Sequence, residues 1–280
     1  MAYTFSKKRF GLLTLHGKEK VIAPLLAKHL NASLTVTHAF DTDSLGMFSG
    51  EVERQLTPKE CALKKAVLAS ELTGLALGLG SEGSFGASPY GFGVFNQELI
   101  TCYDRKNNRS VTGCYSGFSS ARSQVIETTK MLDDFLMATP SDQALILTST
   151  TRLEKGIYGA DNVRRILKNE FCESFNPNNN FHEAITISYD LRAHHCPERR
   201  IHISKACENL IDRLKSICPK CKTPDFWPDK NIPGLTCCGC GAPTQCTKAR
   251  VAICASCDYS QAYPAVDTFA KQEFCDYCNP

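Results

Sequence analysis

Over roughly the first 216 residues, apolar positions alternate between two periods. Short apolar or alternating runs occur at FGLLTL (10–15), SLTVTHA (33–39), LALGLG (75–80), ALILTS (144–149) and AITISYD (184–190), and these read as strands. Helical spacing separates them. Residues 17–30 carry one helical face, with Pro24 as a kink point. A second helix starts at Thr57-Pro58-Lys59-Glu60, where an N-cap Thr is followed by Pro and by Glu three residues on. Leu63, Ala66, Val67 and Ser70 continue it, and Gly74 ends it. Residues 119–137 and 161–168 read as further helices. A last helix carries the stripe Ile203, Cys207, Leu210 and Leu214. ELITCYD and SVTGCYS, joined by Arg105 to Arg109, predict a hairpin. Strands alternating with helices predict an α/β fold, with a mixed or mostly parallel sheet and helices on both faces.

The pattern breaks near Ser216. Beyond it the chain is rich in Cys, Pro and Gly, which predicts two domains, 1–216 and 217–280. Four Cys-x-x-Cys pairs lie in the second: Cys218/Cys221, Cys237/Cys240, Cys254/Cys257 and Cys275/Cys278. Grouped in chain order, they make two C-x2-C…C-x2-C quartets, the spacing of four-cysteine zinc sites. The expectation is two zinc ribbons in series, each with one structural zinc. Cys238 and Cys246 are competing ligands, and spacing alone selects Cys237. The other reading of these cysteines is a disulfide framework or buried free thiols. The basic N-terminus carries too short an apolar run for a signal-peptide core, and no stretch approaches the ~18 apolar residues of a membrane span. A cytoplasmic location without membrane attachment is therefore expected, where thiols stay reduced and bind metal.

Charge narrows the partners of the ribbons. The whole chain is nearly balanced, with 32 Lys and Arg against 29 Asp and Glu. From Cys218 onward, six basic residues face six acidic ones. Two zinc-loaded thiolate quartets would add about four negative charges, which disfavours generic phosphate binding. Stabilisation of a small module or docking of a protein is preferred, with RNA contact as the alternative.

Candidate chemistry lies in the first domain. Residues 40–60 are densely polar. Asp41 and Asp43, and Glu51 and Glu53, are two apart, which in extended chain puts each pair on one face. Such pairs suit a magnesium ion, or else belong to a solvated acidic loop. Gly78-Leu79-Gly80-Ser81-Glu82-Gly83 is a formal G-x-G-x-x-G, but Gly86, Pro89, Gly91 and Gly93 follow where a dinucleotide fingerprint needs a helix. The Rossmann reading is rejected. Glu82 is expected in a glycine loop at the end of a strand, where open α/β sheets bind ligands. Two basic clusters also follow strands. Arg152 to Gly156 comes after Ser149, and Asp190-Leu-Arg192-Ala-His194-His195, with Arg199 beyond, comes after Tyr189. Arg192 and Arg199 suit a phosphate, and His194 can shuttle protons or read a base edge. The bland reading of both is a solvated basic loop.

Glu60-Cys-Ala-Leu-Lys-Lys65-Ala, then Thr73-Gly74-Leu75 and Glu82-Gly83, resembles the inosine-triphosphate pyrophosphatase family over residues 10–90. That resemblance implies that Glu60 and Glu82 handle magnesium and the attacking water. It puts His16 and Lys18, in Thr14-Leu-His16-Gly-Lys18, and helix lysine Lys65 at the substrate. The chain departs from the family in its opening motif and acidic loop, and the family's base-reading Ser-His-Arg is not found. Across most of its length the chain resembles a bacterial family, the domain-of-unknown-function 6671 group. The residues that carry this are His16-Gly-Lys-Glu, Phe40-Asp-Thr-Asp-Ser-Leu-Gly, Gly50-Glu-Val-Glu-Arg54, Ser81-Glu-Gly-Ser-Phe-Gly86, Asp190-x-Arg-Ala-His194 and the cysteine pairs. This second resemblance implies no particular activity.

The leading expectation is thus a magnesium-dependent hydrolase that cleaves a nucleoside triphosphate to monophosphate and pyrophosphate. Glu82 and acids drawn from Asp41, Asp43, Glu51, Glu53 and Glu60 would serve the metal. His16, Lys18, Lys65, Arg192, His194 and Arg199 would hold the substrate. The competing expectation is a non-enzymatic zinc protein that binds RNA or a protein partner.

Overall fold

The computed structural model describes residues 5–40, 56–89, 91–171 and 180–280. Asp41, Asp43, Glu51 and Glu53 lie outside the described residues. Two compact units are present, Lys7–Asn209 and a second built on Leu210–Pro280.

The first unit opens with β1 (Arg9–Leu13), α1 (Glu19–Leu30), β2 (Ser33–Thr37), α2 (Pro58–Thr73), β3 (Leu77–Ala87), β4 (Val94–Asp104) and β5 (Arg109–Ser119). Its strands form a five-stranded sheet in the order β2-β1-β3-β4-β5. β1 is parallel to β2 and β3, while β4 and β5 add antiparallel, so the sheet is mixed. α2 begins where its sequence signals place it. The Thr57 hydroxyl accepts from the Glu60 amide, and the Glu60 carboxylate accepts from the Thr57 amide at 2.8 Å. Gly74 ends the helix in the left-handed region, at φ 68°.

The face of α2 that carries Cys61, Ala62, Ala66 and Ala69 is buried. Its backbone lies directly on β3. A Cβ at Gly78 would collide with the Ala66 carbonyl, and one at Gly80 with the Ala62 carbonyl. Those glycines therefore serve helix-on-strand packing and not a phosphate loop. Residues 81–86, expected as a loop, continue β3 and pair with β4, Glu82 opposite Leu99 and Gly83 opposite Glu98. Glu82 sits inside a strand, on the same face as Gly78 and Gly80.

The unit continues with β6 (Ser123–Thr128), α3 (Thr129–Met137), β7 (Leu145–Thr148), β8 (Leu153–Ile157), α4 (Ala160–Glu170), β9 (Asn180–Tyr189) and α5 (Pro197–Lys215). A second sheet, wholly antiparallel and ordered β6-β9-β7-β8, is the part the apolar pattern does not reveal. Ile126, Leu145, Leu147, Ile185 and Ile187 from its strands bury against Leu132 and Phe135 of α3 and Val163 and Leu167 of α4. The single helix expected over 119–137 is a strand followed by a helix. Thr128 accepts from the Met131 amide and so caps α3, whose first residue, Thr129, lies ten residues beyond the start that the helical spacing suggests. Likewise Arg152 to Gly156, read as a loop, enters β8, which pairs with β7 as a hairpin. The stripe Ile203, Cys207, Leu210 and Leu214 on α5 is buried as expected.

The second unit holds a three-stranded antiparallel sheet, β10 (Lys230–Pro233), β11 (Thr247–Ile253) and β12 (Ser260–Pro264). The end of α5, from Leu210 on, belongs to this unit, and there Arg213 donates to Asp225 at 2.7 Å and to both Asp229 oxygens at 2.9 and 2.7 Å. Among the described residues no helix is long and apolar enough to cross a membrane.

Candidate functional site

Within the first unit a cavity of about 620 Å³ is lined by His16, Lys18, Lys65, Ser81, Glu82, Arg122, Lys155, Asp190, Arg192 and Arg199, among others. Elements far apart in sequence supply them. The turn after β1 brings His16 and Lys18, α2 brings Lys65, β3 brings Ser81 and Glu82, and the turn after β9 brings Asp190 and Arg192. Arg199 comes from α5.

Buried ion pairs set the geometry. Lys65 Nζ donates to Glu82 Oε2 at 2.5 Å, and both side chains are almost wholly buried. Arg199 Nε donates to Glu98 Oε1 at 2.7 Å, with side-chain exposures of 2% and 0%. The Arg199 NH1 group donates to the Leu191 carbonyl at 2.6 Å. Glu98 Oε1 also accepts from Asn96, whose own oxygen meets His202 Nδ1 at 2.7 Å. Gly83 faces this pair, and a Cβ there would strike Glu98 and Arg199. Arg192 holds Asp190 with a two-pronged contact, Nε at 2.9 Å to Oδ1 and NH2 at 2.5 Å to Oδ2. Burial pushes the Asp190 carboxyl up, but the Arg192 side chain and amide outweigh it and leave the group below its ordinary value.

Lys18 is the exception. It is 7% exposed and donates to Ser81 O and Ser81 Oγ, both at 3.2 Å. Burial first, and the Arg199 charge second, lower it from 10.5 to about 7, against the opposing pull of Glu98 and Glu82. At the rim, the His16 and His194 rings stack at 5.6 Å and His194 lies 3.9 Å from His195. Tyr158 Oη meets His195 Nδ1 at 2.8 Å.

The cavity thus gathers His16, Lys18, Lys65, Glu82, Arg192 and Arg199, with His194 stacked on His16. Glu60 is not among its lining residues. It is exposed at the start of α2, and hydrogen bonds with Thr57 lower its carboxyl. Sequence reasoning passed over Glu98 and Arg122. Glu98 only begins the predicted strand ELITCYD in the sequence, and it is the β3–β4 register that sets it opposite Gly83, where its side chain is buried. Six lining cations, Lys18, Lys65, Arg122, Lys155, Arg192 and Arg199, face two lining carboxylates, Glu82 and Asp190. Such a surface attracts phosphates or other polyanions.

The eight expected cysteines form two groups in the second unit, but not in chain order. Cys218 and Cys221 cluster with Cys254 and Cys257, and Cys237 and Cys240 with Cys275 and Cys278. The ribbons in series are corrected to an interleaved, cross-braced pair. Sulfurs approach at 3.8 Å (Cys218–Cys257), 3.4 Å (Cys221–Cys254), 3.8 Å (Cys237–Cys278) and 3.5 Å (Cys240–Cys275). A disulfide needs about 2.05 Å, whereas Zn–S bonds of about 2.3 Å in a tetrahedron put sulfurs about 3.8 Å apart. Each group can hold one zinc ion. Cys237, and not Cys238, belongs to its cluster.

Three of the four turns are copies of one device. Residues 217 and 224, 236 and 243, and 253 and 260 are bridged, each seven apart. Lys222, Gly241 and Asp258 follow the second cysteine with φ of 62°, 76° and 56°. The amide of each of these residues donates to the carbonyl of the first cysteine of its pair and closes the turn. The Cys240 and Gly239 amides hold the Cys237 thiol down to about 6. Backbone donors that favour thiolate are what a zinc ligand needs.

Against known proteins, no curated protein and no solved structure matches the chain. The pyrophosphatase resemblance of residues 10–90 has no support from these comparisons. The family model described as Domain of unknown function (DUF6671) matches residues 65–280. The match takes in Lys65, Glu82, Glu98, Asp190, Arg192, Arg199 and every clustered cysteine, while His16 and Lys18 precede it. With well over half of its length matched, the chain belongs to the DUF6671 family.

Proposed function

We propose that the cavity of the first unit binds a nucleoside triphosphate through its phosphates and cleaves it to monophosphate and pyrophosphate, while two zinc ions hold the second unit together. What supports the reading is the convergence of Lys65, Arg122, Lys155, Arg192 and Arg199 on one partly enclosed cavity of about 620 Å³. A cavity of that size accommodates a small-molecule ligand, and fixed cations neutralise the charge that a leaving pyrophosphate develops. In this reading Glu82, which lines the cavity, orients the attacking water molecule.

The described residues do not offer a ready magnesium site. Glu82 is engaged by Lys65 and Asp190 by Arg192, so their charge is already matched. The six lining cations still exceed Glu82, Asp190 and the Arg199-bound Glu98 by three charges, and that excess is what would neutralise the phosphates.

Calorimetry with a panel of nucleotides, together with a pyrophosphate-release assay with and without magnesium, tests this. Binding of a triphosphate and release of pyrophosphate are expected, and Glu82→Gln should lower turnover by ~100-fold. Failure of every nucleotide to bind would remove the reading.

A second reading concerns the second unit. Val266, Phe269, Phe274 and Tyr277 are exposed there, an apolar set suited to a partner surface. Net negative charge with zinc bound favours a protein over RNA as that partner. Retardation of single-stranded RNA by the isolated wild-type chain would reverse the preference.

A further inference from the structure

Each of three cavity cations has its own carboxylate: Lys65 has Glu82, Arg192 has Asp190 and Arg199 has Glu98. Among the described residues Lys18 has none within ion-pair distance. Among the described residues its amine is held by the Ser81 carbonyl and hydroxyl, and it lines the cavity. A lysine kept for structure is normally matched by a charge, because an unmatched buried ammonium is costly. A lysine kept only to hold phosphate is best left fully charged. Lys18 is placed for neither task.

The groups around it agree. Arg199 from α5 and Lys65 from α2 repel an ammonium here, while Glu82 from β3 and Glu98 from β4 favour it; burial and the cations win. Lowered to about 7, the side chain loses its proton far more readily than an ordinary lysine. Desolvation and a neighbouring cation are the two means by which a lysine becomes a nucleophile.

We propose that Lys18 is the nucleophile of the cavity, attacking the α-phosphorus of a bound nucleoside triphosphate to form a lysyl phosphoramidate. This inference rests on the nucleotide reading above. In the first step the Nζ–phosphorus bond forms and the bond from that phosphorus to the bridging oxygen breaks. The electron pair leaves with pyrophosphate, whose charge is met by Lys65, Arg192 and Arg199. The amine proton passes to solvent through the open side of the cavity. In the second step water attacks the same phosphorus, the phosphorus–nitrogen bond breaks, the amine recovers a proton, and nucleoside monophosphate departs. The sum is triphosphate plus water giving monophosphate plus pyrophosphate. An acceptor hydroxyl in place of water would make the same centre a nucleotidyl transferase.

The test uses the full-length, zinc-loaded protein and nucleoside triphosphates radiolabelled at the α-phosphate, quenched on the millisecond scale. Label should stay with the denatured chain, survive alkali, be lost in mild acid, and map to the peptide containing Lys18. Pyrophosphate should appear in a burst of about one per chain, and labelling should rise with pH through about 7 rather than near 10. Lys18→Arg should still bind nucleotide in calorimetry but take no label and lose ~100-fold or more in pyrophosphate release. Turnover without label, or undiminished turnover by Lys18→Arg, overturns the nucleophile and leaves the nucleotide reading standing. Absence of nucleotide binding by the wild-type protein overturns both.

Discussion

The two units put their ionisable groups to opposite uses. In Lys7–Asn209, apolar side chains make the core, as in the cluster around Ile126, Leu147, Ile185 and Phe135. Charged groups such as Lys65, Glu82, Glu98 and Arg199 are then buried beside it at a desolvation cost. In the unit built on Leu210–Pro280, one apolar cluster amounts to Cys218, Phe226, Ala252 and Cys254, with Cys257 and Tyr259 packed on it. There the ionisable thiols are themselves the organising centre. Charge is buried beside an apolar core in the first unit and gathered at the centre of the second.

The largest effect that can sharpen this contrast is metal removal. Structural zinc contributes about 10–16 kcal/mol of apparent binding free energy in small modules. Stripping zinc should unfold the second unit, reported by the fluorescence of Trp227, the chain's single tryptophan. Amide exchange in β3 and β4 should stay slow. Loss of protection there would show that the first unit does not stand on its own apolar core.

Next in size are the buried pairs. Arg199→Met leaves the Glu98 carboxylate sealed from water, and Glu98 Oε2 already has no hydrogen-bond partner among the described residues. A loss of about 3–5 kcal/mol in urea unfolding is expected. Arg164→Ala removes a pair with Asp133 of similar length, 2.9 Å, but about half exposed on both sides. It should cost less than about 1 kcal/mol. Equal costs would mean that the cavity charges are not buried as described.

How far these features are legible in the sequence depends on range. The capping box at Thr57 and Glu60 and the Gly74 stop are local, and the chain reads them correctly. Cys-x-x-Cys is local too, so all eight ligands are identifiable. Which pairs share an ion is decided by how β10, β11 and β12 bring the turns together, and spacing is silent on that. Residues 81–86 misled for the same reason. Glycines that look like a loop in one dimension are there because α2 lies against β3. The convergence of Lys18, Lys65, Glu82 and Arg199 is likewise a product of sheet order. Their residue types suggested phosphate chemistry, but Glu98, which anchors Arg199, emerges only from the β3–β4 register.

A further effect is a slope. Lys18 is lowered from 10.5 to about 7 in the folded chain, so between those values the unfolded chain binds more protons. Stability therefore rises with pH across that window, by at most about 1.4 kcal/mol per pH unit, and the burden is full below about 7. Lys18→Met should flatten the rise and stabilise the protein at neutral pH. An unchanged slope in unfolding curves measured from pH 7 to 10 would mean that the amine is charged when folded.

The cross-brace itself is tested most directly by counting zinc in two double variants after dialysis against a competing chelator. Cys221→Ala with Cys254→Ala removes two ligands from one cluster and none from the other, and should leave one zinc per chain. Cys221→Ala with Cys237→Ala strikes both clusters and should leave none. One zinc retained by the second variant and none by the first would mean that the cysteine pairs bind in chain order, and would contradict the interleaved arrangement.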